Sequence, residues 1–324
     1  MSNIPNQPSE NDLPLWSVIV PTYNRLPILQ KCLAALEKQI IKHPYEILVI
    51  DDGSSDGTVE FLKNNSDRYP HLRLLTQDHA AAATARNYGI DSALGKYIAF
   101  VDSDITVNPE YLQAHTEALA QGEKVYSYGR IIDTSNLEAP DSETVSPVPY
   151  FTAALFDTCN LAIARKWLLE AGKFDTGFFQ YGWEDFELGM RIKKLGLKRV
   201  TCAGAIAFHY HAAFSIDKMP RLLDLEEQRG RMSIIFYHKH PTWEVKLMIQ
   251  KTWFHLALWG ILTLGGTLND RTLKPLLTWL CEQGKSEIAM EIFRIYMNWY
   301  TVIWMYRNWD KESKLLFGNQ LKAQ

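Results

Sequence analysis

Three acidic clusters carry the residue types from which chemistry could be built: Asp51-Asp52, Asp102-Ser103-Asp104 and Glu184-Asp185. The last lies inside Gly182-Trp183-Glu184-Asp185-Phe186-Glu187-Leu188. Each follows an apolar or aromatic run, so each is delivered to the rim of a packed element rather than spread over a solvated face. Strand-end carboxylates can hydrogen-bond a base or ribose, hold a divalent cation on a diphosphate, or take a proton from an acceptor hydroxyl.

Each cluster also has a plainer reading. Asp51-Asp52-Gly53-Ser54 has the composition of a turn. An Asp before Pro109 can cap a helix, which accounts for one carboxylate of Asp102-Ser103-Asp104 but not both. On an extended backbone those two could meet a metal and a ribose together, and hard oxygen ligands with a diphosphate suit Mg2+ or Mn2+. Glu184 and Asp185 in a first helical turn would complement the helix dipole. They follow Phe178-Phe179-Gln180-Tyr181, an aromatic run that reads as exposed and able to stack on sugar rings, which makes a neighbouring carboxylate a credible general base. His209 and His211 flank Tyr210 at a strand end. One imidazole could be a further metal ligand, with the other directed to the opposite face; the plainer reading for each is a core or surface histidine.

The elements that must position these groups alternate. Residues 16–21 form a short β-branched run ended by Pro21, residues 22–25 a loop, and Pro27 starts a helix to about residue 39. Strands are predicted over 46–50, 71–75 and 96–101, with helices over 58–64 and 80–94 between them and another from Pro109. This order indicates βαβ units and a mainly parallel sheet, whose ligands bind at the C-terminal strand ends. The loops 21–25, 51–57 and 102–104 lie at such ends. Beyond residue 132 a polar, Pro-bearing loop is expected over 133–149, then a strand at 159–163, a helix at 166–171, an aromatic loop at 174–183, a helix at 184–195 and a strand at 199–208. From about 217 the chain reads as helical.

The 324 residues, 47% of them hydrophobic, suffice for a large domain with an accessory part. A formal charge of -3 argues against a general nucleic-acid binder. Cys32, Cys159, Cys202 and Cys281 show no paired spacing, so neither a zinc module nor a disulfide framework is expected. Reduced thiols and a polar start without an apolar signal core point to a cytoplasmic setting, with residues 1–14 as a disordered leader. Residues 252–269 contain no Asp, Glu, Lys or Arg, at the lower edge of what a spanning helix needs. Residues 295–306 are rich in Trp and Tyr between Arg294 and Arg307. The pair suits either peripheral contact with the inner face of the cell membrane or core helices of a C-terminal region.

With these residues in place, the chain resembles the family-two glycosyltransferases, which have the GT-A fold. The resemblance rests on the segments 18–25 (VIVPTYNR), 51–58 (DDGSSDGT), Ala85-Arg86-Asn87 and 96–104 (KYIAFVDSD), and covers roughly residues 16–215. The Gly-Trp-Glu-Asp segment is similar to the acceptor-side motif of the beta-1,4-galactosyltransferases and polypeptide N-acetylgalactosaminyltransferases. The resemblance implies an α/β, Rossmann-like GT-A domain over 15–215, with flanking helices and a helical C-terminal extension over 216–324.

It also implies roles. Pro21, Thr22 and Tyr23 would line a base pocket, with Arg25 beside it, and Asp51 or Asp52 would hydrogen-bond the base. Arg86 would lie near the diphosphate. Asp102 and Ser103 would meet ribose or metal, Asp104 would coordinate the metal, and His209 would be its histidine ligand, with His211 in reserve. Trp183 would join the donor site, Asp185 would be the catalytic base, and Glu184 would hold acceptor or donor sugar. Two departures touch donor identity: His79-Ala80-Ala81-Ala82-Ala83-Thr84 lacks the usual Gly, and Gly172-Lys173-Phe174-Asp175-Thr176 replaces the commoner Gly-Gly-Phe-Asp-Glu. The implied activity is metal-dependent, inverting transfer of a sugar from a nucleotide-sugar, UDP by default, to a saccharide or lipid-linked acceptor. The alternatives are a catalytically silent sugar- or nucleotide-binding module, and a nucleotidyltransferase, which would need a Gly-rich basic phosphate loop that Thr22-Tyr23-Asn24-Arg25 does not supply.

Overall fold

The computed structural model describes residues 13–142 and 156–318. The expected leader lies almost wholly outside these residues, and so does the expected 133–149 loop from residue 143 onward. The described chain divides into two bodies. One holds the residues up to Thr176 together with Asp185–Ala212, and the other holds Gly177–Glu184 and the chain from Ala213. The second body therefore borrows eight residues from the middle of the expected 15–215 domain.

The first body is a sheet covered on both faces. Its strands are β1 (Trp16–Thr22), β2 (Tyr45–Asp51), β3 (Leu72–Thr76), β4 (Tyr97–Phe100), β5 (Ile105–Val107), β6 (Val125–Thr134), β7 (Leu161–Ala164) and β8 (Lys198–Tyr210), in the order β3-β2-β1-β4-β7-β6-β8-β5. Strands β1 to β4 run parallel, as the alternation with helices predicts; β7 is antiparallel to both β4 and β6, and β5 is antiparallel to β8. The helices are α1 (Leu26–Leu36), α2 (Thr58–Asn64), α3 (Ala82–Ser92), α4 (Tyr111–Leu119), α5 (Arg165–Glu170) and α6 (Glu184–Lys194).

Period-two alternation sorts the strands between two cores. Val18 and Val20 join Leu29, Leu33, Leu62 and Tyr111 on the α1/α2/α4 face. Ile19, between them, joins Ala85, Ile90, Trp167, Leu188 and Ile192 on the α3/α5/α6 face. Because both faces are covered, the central strands are apolar throughout rather than alternating.

One irregularity matters for the site. Strands β6 and β8 pair in parallel, but the partner of Gly129 is Cys202 and that of Arg130 is Ile206, so Ala203, Gly204 and Ala205 are extra. Three is odd, so every β8 side chain beyond the bulge faces the side opposite to the one an unbroken register would give. Asn160 fills the bulge: its Nδ2 donates to Arg130 O and Ala205 O, while Oδ1 lies 3.0 Å from His115 Nε2. Gly129 is required beside it, since a Cβ there would stand 2.3 Å from Asn160 Oδ1 and 2.5 Å from Ala205 O.

The second body is helical: α7 (Met219–Lys239), α8 (Trp243–Met248), α9 (Trp253–Leu262), α10 (Asp270–Glu282) and α11 (Ser286–Phe317). Its core gathers Phe214, Met219, Leu273, Leu277, Ala289, Phe293, Tyr296 and Met297. The aromatic 295–306 run lies within α11, where Tyr296, Met297, Val302 and Met305 are buried, so packing accounts for much of it. The uncharged 252–269 run becomes the ten-residue α9 and the turn through Gly265 and Gly266. Among the described residues no helix is long and apolar enough to cross a membrane.

Candidate active site

The loops after β1 and β2 are tied to each other before they can touch anything else. Asn24 sits in the left-handed region (φ 51°), its N–H donates to Ser54 Oγ at 2.9 Å, and its Oδ1 accepts from the Ser55 N–H at 2.8 Å. Asp56 Oδ2 accepts from the N–H of Leu26, the first residue of α1, at 2.9 Å. This cross-bracing fixes Tyr23 and Arg25 beside the Asp51-Asp52 pair. Tyr23 stacks on His79 with ring centroids 4.0 Å apart. Asp52 is consumed locally: Oδ1 accepts from Gln77 Nε2 and Ala80 N, and Oδ2 pairs with His79 Nδ1 at 3.0 Å.

Asp51 differs. Its Oδ2 accepts from the Ser54 N–H at 3.0 Å, but its buried Oδ1 has no hydrogen-bond partner among the described residues. The same is true of Thr22 Oγ1. Thr22 and Asp51 are register partners at the C-terminal ends of β1 and β2. Two unsatisfied polar atoms on register partners are costly unless a ligand or ordered water completes them.

The second cluster follows β4. Residues 102–104 are not extended as expected: Asp102 O accepts from Ile105 N, which makes the segment a turn into the short strand β5. The turn parts the two carboxylates. Asp102 takes Arg86 Nη2 on Oδ1 at 2.9 Å and faces Cys159 Sγ at 3.6 Å with Oδ2. Arg86 is 6% exposed and lies over the Phe174 ring, which fixes its guanidinium in place. Ser103, between Asp102 and Asp104 in the chain, is buried. Asp104 pairs through Oδ2 with Arg25, and its Oδ1 lies 3.5 Å from His209 Nε2. Burial alone would raise the Asp104 carboxyl, but His209 and Arg25 outweigh it and hold it at about 2. Burial would likewise lower His209, yet Asp104, Asp102 and Asp133 together carry it above the usual imidazole value.

The two histidines correct an expectation. Residues two apart on a strand share a face, and the His209 and His211 rings lie 3.9 Å apart rather than on opposite sides. Asp133, at the end of β6, meets both: its Oδ1 is 4.0 Å from His209 Nδ1 and 3.3 Å from His211 Nε2. Asp133, His79, Gln77 and Cys159 were not named as site residues from the sequence. The strand end after the 126–132 run was the available signal for Asp133, and its pairing with β8 was not legible there.

Glu184 and Asp185 open α6, where Asp185 Oδ1 accepts from the Phe186 N–H at 2.8 Å. The helix is anchored by Leu188 and Ile192 in the α3-face core and by Glu187, which grips Arg191 with both oxygens at 3.0 Å. Before it, Gly182 and Trp183 both take positive φ (103° and 74°), a strained setting for a Trp. The expected open aromatic run divides. Phe179 and Tyr181 are exposed, but Phe178 and Trp183 are buried. Trp183 stacks on Phe236, lies under the Arg229 guanidinium and donates Nε1–H to Arg229 O at 2.9 Å.

A divalent cation fits the Asp104–His209 pair. The donors are a carboxylate, which suits hard ions such as Mg2+ or Mn2+, and an imidazole, which suits first-row transition ions. Their 3.5 Å separation is close to that of adjacent ligands with bonds of about 2.1 Å to one ion.

Residues 17–166 match the sequence model of the family described as Glycosyl transferase family 2. Similar curated proteins include the chondroitin synthase of Escherichia coli, 29% identical over 234 residues that make up 60% of this chain and 34% of that protein. The validoxylamine A glucosyltransferase of Streptomyces hygroscopicus subsp. jinggangensis is 31% identical over 222 residues, 57% of this chain and 53% of its own. The chain thus spans about a third to a half of the length of these relatives. The fold is similar to that of a mannosyltransferase from Pyrobaculum calidifontis, solved in complex with GDP-Man and Mn2+, with a TM-score of 0.60, 18% identity, and coverage of 92% of this chain and 88% of that one.

Proposed function

We propose, from the match of residues 17–166 to the model of glycosyl transferase family 2, that the chain is a glycosyltransferase that transfers a sugar from a nucleotide-sugar, by default a UDP-sugar, to a hydroxyl of a saccharide or lipid-linked acceptor with inversion. The observation that carries this reading is that the unsatisfied atoms Thr22 Oγ1 and Asp51 Oδ1, at the C-terminal ends of β1 and β2, lie at the same end of the sheet as the Asp104–His209 pair. The neighbours named as transferases and the Mn2+ complex support it.

In this reading Thr22 and Asp51 hydrogen-bond the base, Tyr23 and His79 provide an aromatic wall, and Pro21 shapes the strand end. Asp52 braces that wall instead of binding the base. Asp102 and Ser103 face the ribose, and Arg25 and Arg86 supply positive charge toward the diphosphate. Asp104 and His209 would hold Mn2+ or Mg2+. When bound, such an ion neutralises charge on the departing nucleoside diphosphate. Asp185 takes the proton from the acceptor hydroxyl as its oxygen attacks the anomeric carbon, and the C–O bond to the diphosphate breaks with its electron pair. Glu184 holds a sugar hydroxyl beside it. Trp183 acts through the backbone of the Gly182–Glu184 turn, because its ring is already packed.

The test is nucleoside-diphosphate release across UDP-, GDP- and dTDP-sugars, with Mn2+ or Mg2+ and with chelator, over a panel of saccharide and lipid-linked acceptors. Metal-dependent release from one donor together with a glycoside product supports the reading. Nucleotide binding without turnover on any acceptor would favour a silent binding module.

A further inference from the structure

The second body exposes one element with no polar face. Nearly every residue of α9 is apolar, yet none is buried. The side that packs inward runs through His255, Leu256, Trp259, Gly260 and Thr263, with Gly260 and Gly266 lying against the Trp299 ring of α11. The outward side carries Trp253, Ala257, Ile261 and Leu264, spaced i, i+4, i+8, i+11, with Phe254 beside them. Trp253 is 76% exposed and Ile261 73%, where a solvated surface helix would present charge. Trp243 and Leu247 of α8 are also exposed and apolar. An unpartnered surface of this kind marks a docking site.

We propose that this face seats on an anionic lipid bilayer, with α9 lying in the interface plane. Length excludes a span: ten residues make a helix about 15 Å long against a hydrocarbon core of about 30 Å. Charge selects the partner. Between Val245 and Asn269 there is no Asp or Glu, and the only charges are Lys246 and Lys251. Both are held on aromatic rings, Lys246 over Tyr237 and Lys251 over Trp309 at 3.8 Å. An apolar stripe with tryptophans, flanked by these two lysines, matches an anionic headgroup surface. The inference concerns the second body alone and does not rest on the transferase reading.

The experiment is co-sedimentation of the full chain with vesicles, without donor or metal, so that catalysis does not enter. The probes are phosphatidylcholine vesicles and vesicles with about 30 mol% phosphatidylglycerol. The chain is expected to pellet with the anionic vesicles, less so as salt rises, and to leave the pellet in the double variant Trp253→Ser, Ile261→Ser, with binding reduced by about tenfold or more. Both side chains are exposed, and far-ultraviolet circular dichroism checks that the variant is folded. An independent readout is a blue shift of tryptophan emission on adding anionic vesicles, reduced with Trp253→Ser. The proposal is overturned by a chain that stays in the supernatant, by a double variant that pellets as well as the parent, or by light scattering that shows a dimer which the double variant abolishes.

Discussion

Arg25 closes on one oxygen of Asp104 while the other oxygen of that carboxylate faces His209 Nε2 at 3.5 Å. The proposed metal ligand is therefore shared between an imidazole and a guanidinium from the loop after β1. A cation entering between Asp104 and His209 competes with Arg25 for the carboxylate, and an incoming diphosphate offers Arg25 another anion.

This sets opposite signs for two affinities in Arg25→Gln. Without nucleotide, Mn2+ should bind more tightly by about threefold to tenfold, the ~1 kcal/mol scale of a half-exposed ion pair. Nucleotide-sugar affinity should fall by a similar factor. Calorimetric titration of each ligand separates them, and weaker Mn2+ binding would refute the competition.

Asp185→Asn should lower transfer by about a hundredfold to ten-thousandfold, the range of a general base, with nucleoside-diphosphate affinity nearly unchanged. Single-turnover rates and nucleotide titrations on one preparation decide it. Parallel loss of binding would assign Asp185 to the α6 terminus, where it already accepts the Phe186 N–H.

Thr22→Val removes a buried hydroxyl that has no partner among the described residues. Stability should hold or rise slightly, since the desolvated oxygen is gone, while nucleotide affinity should drop about fivefold, the worth of a hydrogen bond of ~1 kcal/mol. Urea midpoints and nucleotide titration give the two signs. A variant that loses stability and keeps affinity would show that the hydroxyl serves the fold.

His115 couples the fold to pH. Fully buried between Ser127 Oγ at 2.8 Å and Asn160 Oδ1 at 3.0 Å, it is pushed by burial down to about 4. The unfolded chain binds this proton near pH 6.5 and the folded one does not, so stability is full above about pH 6.5 and falls with acidification until about pH 4, by ~3 kcal/mol. Urea unfolding of the parent and of His115→Gln between pH 4.5 and 7 tests it. The variant should lose that part of the slope, and identical slopes would exclude His115 as its source.

The sequence determined the order of elements and the loops at the ends of β1, β2 and β4, because strand and helix periods, turn residues and Pro positions are local properties of the chain. It also placed Asp51-Asp52 and Asp102-Ser103-Asp104 at those ends, since a parallel βαβ arrangement leaves them nowhere else to emerge. Tertiary structure decided which atoms meet. Asp104 reaches His209 because β5 pairs with β8, and His209 faces that way because three extra residues in β8, held by Asn160, invert its alternation. Asp52 is occupied while Asp51 keeps a vacant acceptor, a difference made by Gln77, His79 and Ala80 from the next loop. Trp183 is buried because Gly177–Glu184 joins the second body, where α7 supplies Phe236 and Arg229. Such outcomes depend on partners distant in the chain, and local propensity carries no term for them.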